Sequence, residues 1–326
     1  MIRDGICITF QCSLVSPFHT TQREYQNLLT CAPYVLGTTI RGAVLGYLIQ
    51  KHCTREKINQ LEKTTDPERI LQIHESCGKG CPLSQFFEED TPNVLFSFGE
   101  FHRPEYLSRT RIALRRDFRN ASEGAIANVE CIQEGSKFNF EVVLFDGLID
   151  REEEIAEAVR FTGEYLGIGR FKSVGLGRFR IEEKRKEGIE TLIERVKVPD
   201  SEIELVLRTP LVFMMRKMDC GVMAEQISNS FLQRFREISG RDSDKKIEIA
   251  ELDIEMKPEF IHRHSFERSQ VENRLVMDVG SKIRCVLSPP GRQHLIQLKI
   301  ASRFGIGDWR NCGFGRFHVK KSKRIY

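Results

Sequence analysis

The alternation of apolar and polar positions divides the chain into short strands and amphipathic helices. Residues 6–15, ICITFQCSLV, are apolar and β-branched enough to predict a strand, and TIRGAVLGYLIQKH (39–52) repeats its apolar residues at helical spacing, with Thr38 or Thr39 as its cap. A polar, loop-rich insertion follows at about 53–92. VLFSFGEF (94–101), AIANVECI (125–132) and KFNFEVVLF (137–145) read as strands, and REEEIAEAVRFTGEYLG (151–167) as a helix with acids in its first turn. A glycine loop and the short strand GRFRIE close a β-α-β-β-α-β unit, the ferredoxin-like order, in which helices cover one face of an antiparallel sheet. In the second half, EIELVLRTPLVFM predicts a strand and VMAEQISNSFLQRFREISG a helix ending at Gly240. KIEIAELDIEM, RLVMDVGSKIRCVLS and GRFHVKK predict further strands, so the order repeats less clearly. The reading is an α+β chain of two tandem ferredoxin-like domains, 1–190 and 191–326, joined in the charged stretch 184–200.

An internal repeat supports the duplication. GIGRFKSVGLGRF (167–179) and GIGDWRNCGFGRF (305–317) share Gly-Ile-Gly and, five residues later, Gly, an apolar residue, Gly, Arg and Phe. Glycines allow positive φ and close backbone approach, so successive amides of such a turn can cradle phosphates. Neither copy is a common nucleotide fingerprint: no Gly-Lys-Ser/Thr is present, and both loops follow the last helix of their unit. The other reading is a tight helix-to-strand turn packed on its own sheet. Arg170, Lys172 and Arg178 in one copy and Arg310 and Arg316 in the other favour the anion-binding role.

Charge sharpens this picture. The whole chain carries only +4, but residues 258–326 hold 14 Lys and Arg against five acids, whereas residues 1–200 hold 27 against 30. Residues 101–120 add six arginines, Arg103, Arg109, Arg111, Arg115, Arg116 and Arg119, against Glu105 and Asp117. Basic clusters beside Phe and Tyr suit a phosphate backbone with stackable bases, although a solvated surface has the same composition. The ten cysteines, mostly within apolar runs, point to reduced core thiols and a reducing compartment. No apolar run is long enough to span a bilayer and no signal peptide is evident, so a cytoplasmic protein without a membrane partner is expected.

These residues carry a resemblance. YVLGTTIRGAVLG (34–46), the arginine-rich region 109–142 and both glycine loops are similar to the RAMP superfamily of CRISPR-associated proteins, whose ferredoxin-like (RRM-like) domains bind CRISPR RNA. The resemblance implies a guide-RNA subunit of a multi-subunit effector complex, with backbone RAMP subunits as neighbours and target RNA or DNA as an indirect partner. Three roles are compatible with it. Backbone subunits of this superfamily slice with an aspartate between the first strand and first helix, but residues 13–38 contain no Asp. A capping subunit that grips the 5′ tag of the guide fits the double architecture best and needs no catalytic residue. A metal-independent processing endoribonuclease would employ His19, with Tyr25 or Arg23, to deprotonate the 2′-hydroxyl and stabilise the phosphorane. A scaffold without RNA contact is the remaining class. For the capping role the expected RNA-binding residues are Thr38, Thr39 and Arg41 at the first helix start, and Arg109, Arg111, Arg115 and Arg116 in the hairpin. Gly167, Gly169, Arg170, Lys172, Gly175, Gly177 and Arg178 in the first loop, and Gly305, Gly307, Arg310, Gly313, Gly315 and Arg316 in the second, complete the set.

The insertion raises a metal question. Cys53, His74, Cys77 and Cys81 form a Cys-x20-His-x2-Cys-x3-Cys pattern, sufficient for tetrahedral zinc in a segment too poor in apolar residues to build its own core. Unligated thiols are the alternative. Related subunits carry zinc-bearing insertions, so the resemblance implies a structural zinc and no other cofactor. Trp309, the single tryptophan, lies inside the second loop and is expected to pack, or to stack on a base.

Overall fold

The computed structural model describes residues 2–25, 27–63, 72–73, 83, 92–114, 121–199, 202–213, 220–243, 245–265, 270–287 and 292–321. The N-terminal half comprises strands β1 (Gly5–Leu14), β2 (Thr21–Tyr25), β3 (Leu28–Cys31) and β4 (Tyr34–Val35), helices α1 (Gly37–His52) and α2 (Arg55–Glu62), and strands β5 (Val94–Phe96), β6 (Gly99–Phe101), β7 (Tyr106–Leu114), β8 (Ala121–Ile132) and β9 (Lys137–Phe145). Helix α3 (Glu152–Phe161) and strand β10 (Phe179–Gly188) close it, and the short helix α4 (Ile189–Glu194) leads into the C-terminal half. There β11 (Glu202–Leu207), α5 (Cys220–Ser239), β12 (Ile249–Glu255), β13 (Pro258–Ser265), β14 (Gln270–Met277), β15 (Lys282–Leu287), α6 (Arg292–Phe304) and β16 (Phe317–Lys321) repeat the order.

Both main sheets have the ferredoxin-like arrangement. The first runs β10-β1-β9, with β5 and β6 both paired to β9 and β4 beyond β6; the second runs β12-β15-β11-β16. In each, the first strand lies between the third and fourth, and the recorded pairings are antiparallel. Each half also inserts a β-hairpin between its second and third sheet strands: β7–β8, to which β3 adds in parallel and β2 follows, and β13–β14.

The halves stack as layers, which explains why β1 is apolar nearly throughout. Ile8, Phe10, Cys12 and Leu14 face the first core with Val44, Leu48, Ile155 and Val159 of α1 and α3. Cys7, with Leu95, Val143 and Phe145, turns to the opposite face and meets Phe235 and Ile238 of α5 and Ile300 and Phe304 of α6. The helices of the C-terminal half therefore fill the second face of the N-terminal sheet while packing their other side on their own sheet through Ile227, Phe231 and Leu298. The outer face of that second sheet is polar: Arg284 bridges Glu204, Asp253 and Glu255, and Lys282 reaches Glu255.

Several elements depart from the sequence reading. VLFSFGEF breaks into β5 and β6 at a bend through Ser97 and Phe98, and the arginine-rich hairpin builds a separate four-stranded sheet. Helix α1 has Leu36 at its N-cap, without a side-chain hydrogen bond, so neither Thr38 nor Thr39 caps it. The helix expected over 151–167 opens as a 3-10 turn at Asp146–Arg151 and closes as a π-turn at Thr162–Leu166.

Candidate nucleic-acid interface

The two glycine loops share one backbone. Gly167, Gly169, Phe171, Gly175 and Gly177 have positive φ in the first copy, as do Gly305, Gly307, Trp309, Gly313 and Gly315 in the second. The hydrogen bonds match as well: Ile168 N donates to Gly177 O and Ile306 N to Gly315 O, while Gly177 N donates to Pro17 O and Gly315 N to Pro210 O. A Cβ on Gly177 would lie 1.9 Å from Ile168 O, and one on Gly315 2.0 Å from Ile306 O. The glycines close the turn on itself, so the anchoring role is present in both copies.

Their surroundings differ. In the first copy Arg170, Lys172, Ser173, Val174 and Gly175 are exposed, and nothing lies within 4 Å of a Cβ on Gly175. In the second, Cys312, Gly313, Phe314, Gly315 and Arg316 are buried. Gly313 abuts the Ser97–Phe98 bend, with Phe98 N 2.7 Å from a Cβ placed there, and Cys312 O lies 2.1 Å from a Cβ on Gly37. Arg316 and Arg303 donate to the two oxygens of Glu141 at 3.0 and 2.6 Å, and Arg310 pairs with Glu237. Arg234, fully buried, donates to Glu237, Asn311 and the Phe304 carbonyl. The second loop is thus a clamp between the halves. Contrary to the expectation of an open RNA-facing loop, Gly305, Gly307, Gly313, Gly315 and Arg316 are buried and Arg310 is half-buried on Glu237, while Trp309 is packed edge-on against Phe314.

Around the first loop the structure joins two signals that are distant in sequence. Phe171 and Leu176 pack on Leu29, Val129 and Cys131 of the hairpin sheet, with Leu107 beside them. Arg109 is exposed on β7 opposite Val129, and Arg111 follows two residues on, opposite Ala127. Arg170 reaches the same sheet through Thr21 Oγ1 at 3.0 Å. Arg115 and Arg116 lie outside the described residues. Arg178, also exposed, donates from Nε to Glu164 O at the other side of the loop.

His19 sits underneath, fully buried. Its Nδ1 lies 2.6 Å from Glu130 O and its Nε2 2.9 Å from Thr21 Oγ1; the carbonyl can only accept, so Nδ1 carries a proton. Burial is the main cause holding its pKa below the ordinary value. Its carbonyl accepts from Arg170 N at 2.8 Å and its ring rests near Phe171. With both nitrogens occupied and no solvent access, it positions the loop and the hairpin sheet. Tyr25 ends β2, and Arg23 pairs with Glu259 of β13, tying the two hairpins together. Thr38, Thr39 and Arg41 are half-buried at the junction of the halves, Arg41 extending toward Cys312 Sγ at 4.0 Å. Cys53 ends α1, its N donating to Ile49 O; His74, Cys77 and Cys81 lie outside the described residues.

A duplicated ferredoxin-like unit with an inserted hairpin and a glycine loop is a recognisable combination, and a family model, the RAMP superfamily, matches residues 11–180. The chain belongs to the RAMP superfamily. The match contains α1, the arginine-rich hairpin and the whole first loop, and membership makes this chain a RAMP-type CRISPR-associated protein. Its fold is similar to a chain of the type III-B Cmr-beta complex bound to cognate target RNA, with a TM-score of 0.38 and 14% identity, over 56% of this chain and 61% of that one. This RAMP chain thus spans under two thirds of that relative. It is similar over 98% of its length to the whole of a Cas6-related protein from Pyrococcus furiosus, with a TM-score of 0.44 and 11% identity. A Cas6 histidine-to-alanine mutant gives a TM-score of 0.43 and 13% identity, over 96% and 99% of the two chains. No curated protein matches the sequence. Among the described residues no helix is long and apolar enough to cross a membrane.

Glu141 and Glu100 escape a reading by residue type, although an acid inside the apolar strand KFNFEVVLF is the trace of a buried partner. Glu100 pairs with Arg208 at 2.8 Å across the same junction.

Proposed function

We propose that this protein is a guide-RNA-binding subunit of a CRISPR effector complex that holds the 5′ tag of the RNA on the first glycine loop and the arginine hairpin. The observation supporting this reading is the packing of Phe171 and Leu176 onto the hairpin sheet against Val129, the cross-strand partner of Arg109, so that the exposed Arg170 and Lys172 of the loop and the exposed Arg109 belong to one packed unit. Phosphates passing there meet guanidinium and ammonium donors, and at Gly175 the RNA can approach the main chain without a Cβ in the way. The first half acts as the RNA-facing half. The second loop, occupied by Glu141 and the Phe98 bend, acts as the fastening between halves.

Cleavage centred on His19 does not suit this geometry, because a general base must reach the 2′-hydroxyl and this ring is enclosed with both nitrogens engaged. The reading is tested by fluorescence anisotropy with repeat RNA carrying the 5′ tag, at several salt concentrations, against RNA of the same length lacking the tag. Tag-dependent binding with a steep salt slope is expected, and no metal-free cleavage. Equal, salt-insensitive or absent binding would refute it.

A further inference from the structure

The contact between the halves is a template for a second contact that the described residues leave open. In that contact the C-terminal half presents α5, α6 and its glycine loop to the sheet face of the N-terminal half. The equivalent elements of the N-terminal half, α1, α3 and the first loop, face outward. Residues can be matched through their shared bonds. Val15 N and Arg208 N both donate to the carbonyl of the loop arginine, Arg178 or Arg316, so Val15 stands where Arg208 does. The loop repeat aligns Tyr165 with Arg303, Val174 with Cys312, and Arg178 with Arg316.

In the C-terminal half all four of these positions are in the junction: Arg208 on Glu100, Arg303 and Arg316 on Glu141, Cys312 against Gly37. In the N-terminal half, Val15, Tyr165 and Val174 are 49%, 68% and 57% exposed, three of the nine large apolar side chains exposed among the described residues. Soluble surfaces scatter such side chains singly, and their coincidence with interface positions is the informative feature. Behind them the rings of Tyr47, Phe161 and Tyr165 form a ladder along the helical layer, with centroids 4.6 and 4.9 Å apart. The π-turn at Thr162–Leu166 carries Tyr165 at its end, a distortion that recurs at functional sites.

We propose that this face docks the open sheet face of a second ferredoxin-like protein subunit, in the way the C-terminal half docks on the N-terminal sheet. The partner places one carboxylate on Arg178 and apolar side chains against Val15, Tyr165 and Val174. Two of the template's three junction arginines are replaced by Val15 and Tyr165, so the partner's face is less acidic than the one around Glu141 and Glu100. A second copy of this chain does not fit. The strand register places Val286 where Glu141 stands, since Thr9 pairs with Glu141 as Glu202 pairs with Val286, and the outer face of that sheet is a lattice of ion pairs. RNA is served by the other side of the loop, where Arg170 and the hairpin sheet lie.

The inference rests on the reading of the chain as a subunit of a multi-subunit complex. Its test is co-expression of the full chain with guide RNA and the ferredoxin-like subunits encoded in the same gene cluster. A photo-crosslinking p-benzoylphenylalanine replaces Val174, or Val279 as an exposed control. Crosslinks from position 174 to a sheet strand of one such subunit are expected, with none from position 279. Combining Val15→Asp with Tyr165→Glu, two positions outside the RNA-binding set, should lower co-purification of that subunit at least tenfold, while tag-RNA affinity of the isolated variant stays within about threefold. Crosslinks from position 174 to RNA or to a second copy, or normal assembly of the double variant, overturn the inference and leave the RNA reading standing. Failure of the wild-type chain to assemble with any subunit overturns the inference together with the complex-subunit reading.

Discussion

Replacing Glu141 by Gln should separate the two halves energetically while leaving each sheet intact. Burial disfavours the charged carboxylate, but the guanidinium groups of Arg316 and Arg303 outweigh it and hold the pKa at about 2, against an ordinary 4.5. At roughly 1.4 kcal/mol per unit, that depression corresponds to about 3 kcal/mol of coupling between ionisation and folding. The sign follows from the direction. A carboxylate whose pKa falls on folding stabilises the native state fully above about pH 4.5, and its contribution is lost as pH drops from there toward 2. Glu141→Gln leaves two buried cations without their anion, so a loss of about 3–5 kcal/mol at pH 7 is expected. The sole tryptophan is placed to report it: Trp309 lies 5.3 Å from Phe314, which meets Phe98 of the other half at 4.8 Å. Urea unfolding followed by Trp309 fluorescence at pH 7 and at steps from 5 to 2 reads both quantities. The variant should lose its native signal at lower urea and show a flatter decline through the acid range than the wild type. A loss below about 1 kcal/mol, with superimposable acid limbs, would refute the account of the junction.

Arg109→Ala combined with Arg170→Ala should weaken tag-RNA binding and reduce the log–log salt slope by about 1.4, at about 0.7 per lost phosphate contact to single-stranded RNA. His19→Ala should leave RNA uncleaved and its maturation unchanged, but loosen the first loop by about 1–3 kcal/mol through the unpaired Glu130 carbonyl, measured by hydrogen exchange of residues 167–178. Because burial lowers the His19 pKa, the unfolded chain takes up its proton first, so the wild type should lose stability below about pH 6.5 and His19→Ala should lack that component. Gly175→Ala and Gly313→Ala impose similar backbone strain at φ +88 and +83, yet only the second adds a clash with Phe98 N, so it should lower the thermal midpoint more. Zinc, if elemental analysis finds it, should be lost on replacing Cys77 and Cys81, with both sheets still folded by circular dichroism.

The features most visible in the sequence were those with local causes. The repeated glycines permit the positive φ that both loops adopt, and the alternation in KFNFEVVLF and EIELVL favours strands. The ferredoxin-like order could therefore be read from residues 1–180. What could not be read is which copy of the loop is covered, because that depends on Glu141 and the Phe98 bend, which are distant from residues 305–317 in sequence. Helix α6, Arg292–Phe304, was not among the elements read from the sequence; it packs Leu298 and Ala301 on its own sheet and Ile300 and Phe304 on the sheet of the other half. Thr38 and Thr39 were plausible caps by residue type, yet the chain enters α1 from β4 and fixes Leu36 at that position.

Tandem fusion has a consequence for the two surfaces that share the glycine-loop backbone. A contact between covalently linked halves forms at an effective concentration in the millimolar range, so even a weak interface is saturated. The junction around Glu141 can therefore be built from buried ion pairs, which confer register and orientation more than affinity. A surface that must recruit a separate molecule from dilute solution has no such advantage and needs apolar area. Val15 and Tyr165, in the places held by Arg208 and Arg303, are the substitutions that difference in concentration would select.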